Sequence, residues 1–550
     1  MSVYCRRAFS LAARPWAALS VFVWTGARIQ EAARNPSVDT RERGRYFAPM
    51  RRSPLATLLL AALVLPACLP RTTIRPPPPP SLTSVANALF ESVENEGTMA
   101  SVFLVDAATG TPLYARHEHV RLLPASTMKV VSTSAALAAF GPDFRFHTPV
   151  RLEGSQLGNL FLGDLVVEAS GDPSLGSWRF PETAMACEQV AEALQARGIR
   201  QWLGAVRVSN ADEGPYGLFG PGWAWDDAAY AYSAAPTPFV FRENVVDLSL
   251  ERPEGQDCNA QPRRPIVVRY SPSFNELPTV VYLEPNAQKA GLGCVRERGS
   301  GRMRCVWRST AEQCPQKASM RVAIDEPRAL FTSCVEDSLA ARGIWRVPVP
   351  PHLAAVPEVA TSEPLLDFTS PSLAELVKVT NKESLNLYAE RLGLRFTRER
   401  TGTESYPALR EAMAQELARR GIPTRLLRPV DGSGLSRYNV ATARGLAEVI
   451  YTSLKEPYAS ALLESLPVAG VDGTLASSAV SNGTRGLIRA KTGTLSGQKA
   501  YVGIAERPND PEHPRVVFAL MLGNIDDQPA LTASQVFEQF AEAMVSLPLR

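Results

Sequence analysis

Three short runs in this chain carry side chains suited to acyl transfer. The first is Ser126-Thr127-Met128-Lys129. A serine hydroxyl is too weakly acidic to attack a carbonyl unaided, and a desolvated lysine that has lost its proton can serve as its base. Residues i and i+3 share one face of a helix, so hydroxyl and amine meet without help from elsewhere in the chain. The second run, Ser384-Leu385-Asn386, offers a hydroxyl for proton transfer and an amide for a substrate. The third, Lys491-Thr492-Gly493-Thr494, falls on an expected strand. Its lysine can hold an anion, its glycine lets a substrate lie close, and its edge can pair with an extended peptide.

Each run alone is a weak signal. Ser and Lys one turn apart on a helix are usually solvated, Ser-x-Asn recurs by chance, and Lys-Thr-Gly is a common surface turn. Their order and the lysine usage bind them together. Of 58 Lys and Arg residues only eight are Lys, and two of these, Lys129 and Lys491, stand in the outer runs. Arginine supplies positive charge but cannot act as a base, so a lysine retained against that bias points to an amine needed as such.

The elements that must position these groups read as an α+β domain split by a long, strand-rich insertion. Strands are expected over 102–105 and 112–115, and a helix from Ser126 to Phe140, stopped by Gly141-Pro142. From about 150 to 360 the composition shifts to strand-like runs, prolines and most of the aromatics. One helix, 184–196, is expected there, and its Arg197-Gly198-Ile199 exit recurs at Arg342-Gly343-Ile344. Helices return over 373–379 and 385–394. The end reads strand, strand, strand, helix over 487–494, 500–505, 515–522 and 533–545. The domains expected are therefore 82–150 together with 362–550, and an inserted 151–361.

The net charge of +3 and the lack of a basic, aromatic-laced cluster argue against a nucleic-acid partner. Five scattered His residues offer neither a Ser-His-Asp triad nor a metal site, and no glycine-rich phosphate loop follows a strand. No metal or other cofactor is expected. Met50-Arg51-Arg52, the apolar run to Leu65 and Pro66-Ala67-Cys68 form an export signal. Leu65-Pro66-Ala67-Cys68 leaves two readings, ordinary cleavage or a lipid anchor at Cys68. Residues 1–49 lie upstream of a complete signal, either as an early-assigned start or as a longer targeting extension. Pro76 to Pro80 is read as a stiff spacer. Six of the eight cysteines lie between Cys187 and Cys334, an even number that in an exported chain points to disulfides. A bridge from Cys294 to Cys305 across a hairpin is expected, and the remaining pairing is open.

The ordered trio resembles that of penicillin-binding proteins and class A β-lactamases. The runs Asp431-Gly432-Ser433-Gly434-Leu435-Ser436-Arg437, Leu466 to Leu475, Gly171 to Leu175 and Gly222 to Asp227 resemble, more narrowly, the D-alanyl-D-alanine carboxypeptidase/endopeptidase family, the class C low-molecular-mass penicillin-binding proteins. The likeness runs from about Ala88 to the C-terminal helix. It implies a β-lactamase/transpeptidase-like fold and hydrolysis of peptidoglycan stem peptides and cross-links. It also implies covalent inhibition by β-lactams and a periplasmic location. Ser126 would be the acyl-enzyme nucleophile, Lys129 its base, Ser384 a proton relay, Asn386 a peptide contact and Lys491 an electrostatic support. Thr492, Gly493 and Thr494 would line the substrate strand, with the N–H groups of Ser126 and Thr494 as oxyanion hole. Positions matching Asp227, Tyr232 and Arg437 read a diaminopimelate side chain in the family. Here a family Gln is Ser496, and the middle of the second run is Leu385 in place of Asp or Asn. Blander readings stand beside these: Asp227 as a turn residue next to packed tryptophans, Arg437 as a structural ion pair. Alternatives for the whole chain are a β-lactamase or esterase of the same fold, or a non-catalytic wall-binding scaffold.

Overall fold

The computed structural model describes residues 80–210, 219–253, 266–274, 277–297, 300–347 and 361–549. The export signal, Cys68, the 1–49 extension, most of the proline run and Cys258 lie outside the described residues. An antiparallel five-stranded sheet runs in the order Ile488–Leu495, Gln498–Glu506, Arg515–Gly523, Met99–Asp106, Pro112–Arg116. The expected α+β class holds. Arg515–Gly523 is buried at every position after the first, which is why Val516 to Leu522 is one unbroken apolar run. Terminal helices Leu82–Glu94 and Ala533–Ser546 pack one face of the sheet, with Phe90, Phe537 and Phe540 at the centre. Both helices begin at a hydroxyl capping box, Ser81 and Thr532, which satisfies N–H groups that the helix leaves unpaired.

The other face carries a helical layer built around Lys129–Phe140. That helix is buried nearly all round, so it has no polar face to signal it. Its Ser132, Thr133 and Ser134 return their hydroxyls to backbone carbonyls and so remain tolerable in the core. Leu373–Lys382, Asn386–Thr401, Tyr406–Arg419 and Ala443–Ser453 complete the layer.

A separate hydrophobic core gathers residues from Val150 to Phe368. It holds a six-stranded sheet, in which His147–Leu157 and Thr361–Thr369 pair antiparallel, and two three-stranded sheets. The recurring Arg-Gly-Ile exits are two copies of one helix stop. In each, glycine takes the left-handed conformation (φ 78° at Gly198, 69° at Gly343), and the Ile N–H reaches back to a Leu carbonyl, Leu194 or Leu339. Each isoleucine is fully buried, and the following strands, Gln201–Leu203 and Trp345–Val347, pair in parallel. A Cys187–Cys334 disulfide ties the two helices together. Cys294 and Cys305 face each other across the Gly291–Arg296/Met303–Arg308 hairpin and are bridged, as expected. Among the described residues, no helix is long and apolar enough to cross a membrane.

Candidate active site

Ser126 sits on a 3-10 turn, Ala125–Met128, that runs directly into the Lys129–Phe140 helix. The sequence predicts an α-helix from Ser126; the first turn is tighter. Side chains at i and i+3 eclipse on a 3-10 turn, and Lys129 Nζ donates to Ser126 Oγ at 2.9 Å. The turn begins with Ala125 in the left-handed region, φ 48°. Gly434 makes room for that distorted peptide, since a Cβ there would lie 1.8 Å from the Ala125 carbonyl oxygen.

Lys129 is fully buried, and its Nζ also donates to Asn386 Oδ1 (2.5 Å) and to the Ser433 carbonyl (2.8 Å). Burial disfavours the ammonium and brings its pKa from 10.5 to about 7, against the opposing pull of Asp431 and Glu390. The amine is thus poised to give up its proton near neutrality.

The second and third runs converge on the same point. Ser384 takes a left-handed conformation, φ 61°, and its Oγ accepts from Lys491 Nζ at 3.0 Å. Lys491 is fully buried and also donates to the Thr492 carbonyl. Burial, followed by repulsion from Lys129 and Lys499, pushes its pKa well below the usual lysine value. Leu385, where Asp or Asn is usual, packs its side chain against the helical core. Asn386 starts the Asn386–Thr401 helix. Sequence reasoning aimed its amide at a substrate, yet both ends are engaged by protein: Oδ1 accepts from Lys129, and Nδ2 donates to the Tyr232 carbonyl at 2.7 Å. Gly493 likewise has a role beyond the expected one. A Cβ there would lie 2.6 Å from the Pro124 carbonyl oxygen and 3.0 Å from the Ser126 nitrogen. Its missing side chain lets the strand press against the Ala125–Met128 turn that carries Ser126.

Beneath Lys129 lies a layer the sequence reading left unassigned. Buried Asp431 accepts from the Gly434 and Ser436 N–H groups, Asn439 and the Trp223 indole. Buried Glu390 accepts from the Gly432 and Ser433 N–H groups. Burial, reinforced by the Asp431 charge, pushes Glu390 up to about 8. Together they fix the loop whose Ser433 carbonyl holds Lys129. The available signal was spacing: Glu390 follows Asn386 by one helical turn on the same face.

A cleft of about 540 Å³ opens onto Ser126, Ser384 and Asn386, and Asp227, Tyr232, Arg437, Thr492, Thr494, Ser496 and Lys499 also line it. The structure therefore brings Asp227, Tyr232 and Arg437 into one cleft with Ser126. Asp227 accepts from the Tyr232 hydroxyl at 2.6 Å and faces Arg437 at 3.9 Å, so cleft lining and ion pairing occur together. Tyr232 stacks on Tyr230. Lys499, another of the eight lysines, was not singled out by sequence. No cluster of three metal-ligating side chains occurs among the described residues.

Comparison with known proteins places this geometry. The profile of the D-Ala-D-Ala carboxypeptidase 3 (S13) family matches residues 82–544. The chain belongs to that family. Its members are serine-type D-Ala-D-Ala carboxypeptidases, and the chain is an enzyme of this class. It is 30% identical over 435 residues to a D-alanyl-D-alanine carboxypeptidase of Actinomadura sp. (strain R39), covering 77% of this chain and 78% of that one. A penicillin-sensitive carboxypeptidase A of Dictyostelium discoideum is 25% identical, covering 78% and 83%. The crystal structure of penicillin binding protein 4 from Haemophilus influenzae superposes with a TM-score of 0.68 at 21% identity, covering 84% of this chain and 98% of that one. That likeness fixes the penicillin-binding transpeptidase-like fold.

Proposed function

We propose that this chain cleaves the D-alanyl-D-alanine bond of peptidoglycan stem peptides, and the equivalent bond in cross-links, through an ester on Ser126. The observation that carries the assignment is the fully buried Lys129 amine, 2.9 Å from Ser126 Oγ with its pKa brought to about 7. Neutral Lys129 accepts the Ser126 proton as Oγ bonds to the scissile carbonyl carbon. The N–H groups of Ser126 and Thr494 receive the oxyanion. On collapse the C–N bond breaks, and the leaving amine takes a proton relayed through Ser384, whose hydroxyl is held by Lys491. Water then attacks the ester, returning Ser126 its proton and releasing the shortened peptide. β-Lactams acylate the same oxygen. Asn386 braces Lys129 against the wall carrying Tyr232, while Asp227 and Arg437 offer an acid and a cation to a diaminopimelate side chain.

We also propose that residues 82–150 and 362–550 form the catalytic unit and 151–361 an inserted one. The site then works on the exported side of the membrane, with Cys68 as a candidate lipid anchor. The test is labelling by a fluorescent penicillin together with hydrolysis of a D-alanyl-D-alanine peptide. Wild type should do both, and Ser126→Ala neither, with an unchanged melting temperature. Labelling that persists at another serine would overturn the assignment. A scaffold would stay dark, and a β-lactamase would label only transiently.

A further inference from the structure

Ser384 stands in a backbone conformation that serine rarely adopts. Its φ of 61° lies in the left-handed region, which a residue other than glycine keeps only where its surroundings impose it. The Lys491 contact restrains the hydroxyl and leaves the backbone free. The backbone is gripped on either side. Arg179 donates to the Glu383 carboxylate, Asn386 Nδ2 donates to the Tyr232 carbonyl at 2.7 Å, and the buried Tyr388 hydroxyl donates to Glu243 Oε1 at 3.2 Å. Arg179, Tyr232 and Glu243 all come from the stretch proposed as inserted.

Glu243 joins two of these grips. The oxygen that accepts from Tyr388 also accepts from Arg179 Nε and from the Ser177 hydroxyl, both at 2.7 Å, so Arg179 bridges the Glu243 and Glu383 carboxylates. Buried Glu243 is itself aimed by a strained turn. Arg242, Glu243 and Asn244 are left-handed in succession, φ 50°, 58° and 53°. Asn244 fastens that turn: its Oδ1 accepts from the Phe241 N–H, and its Nδ2 donates to the Ala235 carbonyl and the Thr237 hydroxyl. Resting on the relay role proposed for Ser384, we infer that Glu243 and Arg179 are positioning residues that hold Ser384 in line with the leaving amine. The 151–361 stretch then takes part in acyl transfer through this clamp. The chemistry makes the effect selective. When the C–N bond breaks, the nitrogen takes the electron pair and needs a proton from Ser384 as it leaves. A thiolate takes the electron pair and leaves without one. A displaced Ser384 therefore slows cleavage of an amide and spares a thioester with the same acyl group.

The test compares kcat/KM, which reports the steps through acylation, for diacetyl-L-lysyl-D-alanyl-D-alanine and for the thioester with D-thiolactate in the leaving position. Both form the same ester on Ser126. A relay group moved by a fraction of an ångström predicts a peptide-over-thioester ratio lower by roughly tenfold to a hundredfold in Arg179→Met and Glu243→Gln, towards that of Ser384→Ala. Glu383→Gln alters an exposed side chain and should lower the ratio in the same direction, which keeps the test decisive if a variant in the buried cluster fails to fold. Damage to the fold alone would slow both substrates equally and leave the ratio unchanged. An unchanged ratio in these variants, beside a lowered one in Ser384→Ala, would overturn the inference while leaving the relay intact. An unchanged ratio in Ser384→Ala would overturn the relay and the inference together.

Discussion

Replacing Lys129 by Arg preserves a positive charge at the heart of the site and removes the capacity to act as a base. At an ordinary lysine pKa of 10.5, roughly one amine in three thousand is neutral at pH 7; at about 7, roughly half are. Burial thus raises the competent fraction about a thousandfold, equivalent to about 4 kcal/mol. A guanidinium starts from a far higher pKa than an ammonium and stays protonated in the same site, so it offers no base near neutrality. A planar fork also cannot reproduce the three contacts at 2.5–2.9 Å made by one nitrogen. Acylation by a fluorescent penicillin should therefore fall at least about a hundredfold, nearly as far as in Lys129→Ala. The wild-type acylation rate should rise with pH through about 7, because the neutral amine is the reactive form, and this limb should vanish in the variant. Stability has its own sign. The folded-state pKa lies below the unfolded one, so between about 7 and 10.5 the unfolded chain binds the extra proton, and this group's burial penalty diminishes as pH rises. Acylation within tenfold of wild type, with the pH limb intact, would refute Lys129 as the base.

Gly493→Ala should separate folding from catalysis. A methyl 2.6 Å from the Pro124 carbonyl oxygen must push the strand off the nucleophile turn, so penicillin acylation should drop by about two orders of magnitude; wild-type labelling would show the approach to be dispensable. Asp227→Ala should slow turnover of diaminopimelate peptides roughly tenfold, the ~1–3 kcal/mol cost of leaving a buried partner unpaired, while barely changing acylation by a penicillin lacking that side chain. Equal losses on both would make Asp227 a support for Tyr232 and Arg437 alone.

The sequence by itself determined the parts whose signal is local. The apolar run Val516 to Leu522 and the paired Arg-Gly-Ile exits specify a strand and two helix stops through neighbouring residues alone, whereas the Leu82–Glu94 helix and its Ser81 cap went unread. Ser126 and Lys129 were legible for the same reason: one turn of backbone brings them together, and lysine scarcity marks them. The Cys294–Cys305 bridge was legible because a short hairpin closes it, whereas Cys187–Cys334, separated by 147 residues, was not. Only the tertiary structure decided what depends on distant segments meeting. It placed Glu390 and Asp431 beneath the lysine, turned the Asn386 amide to Tyr232, showed that Gly493 clears the Ser126 turn, and stood Lys499 at the cleft beside Thr494. Burial and partnership set whether an amine is a base, a brace or an anion site, and both are properties of the packed core that spacing along the chain does not encode.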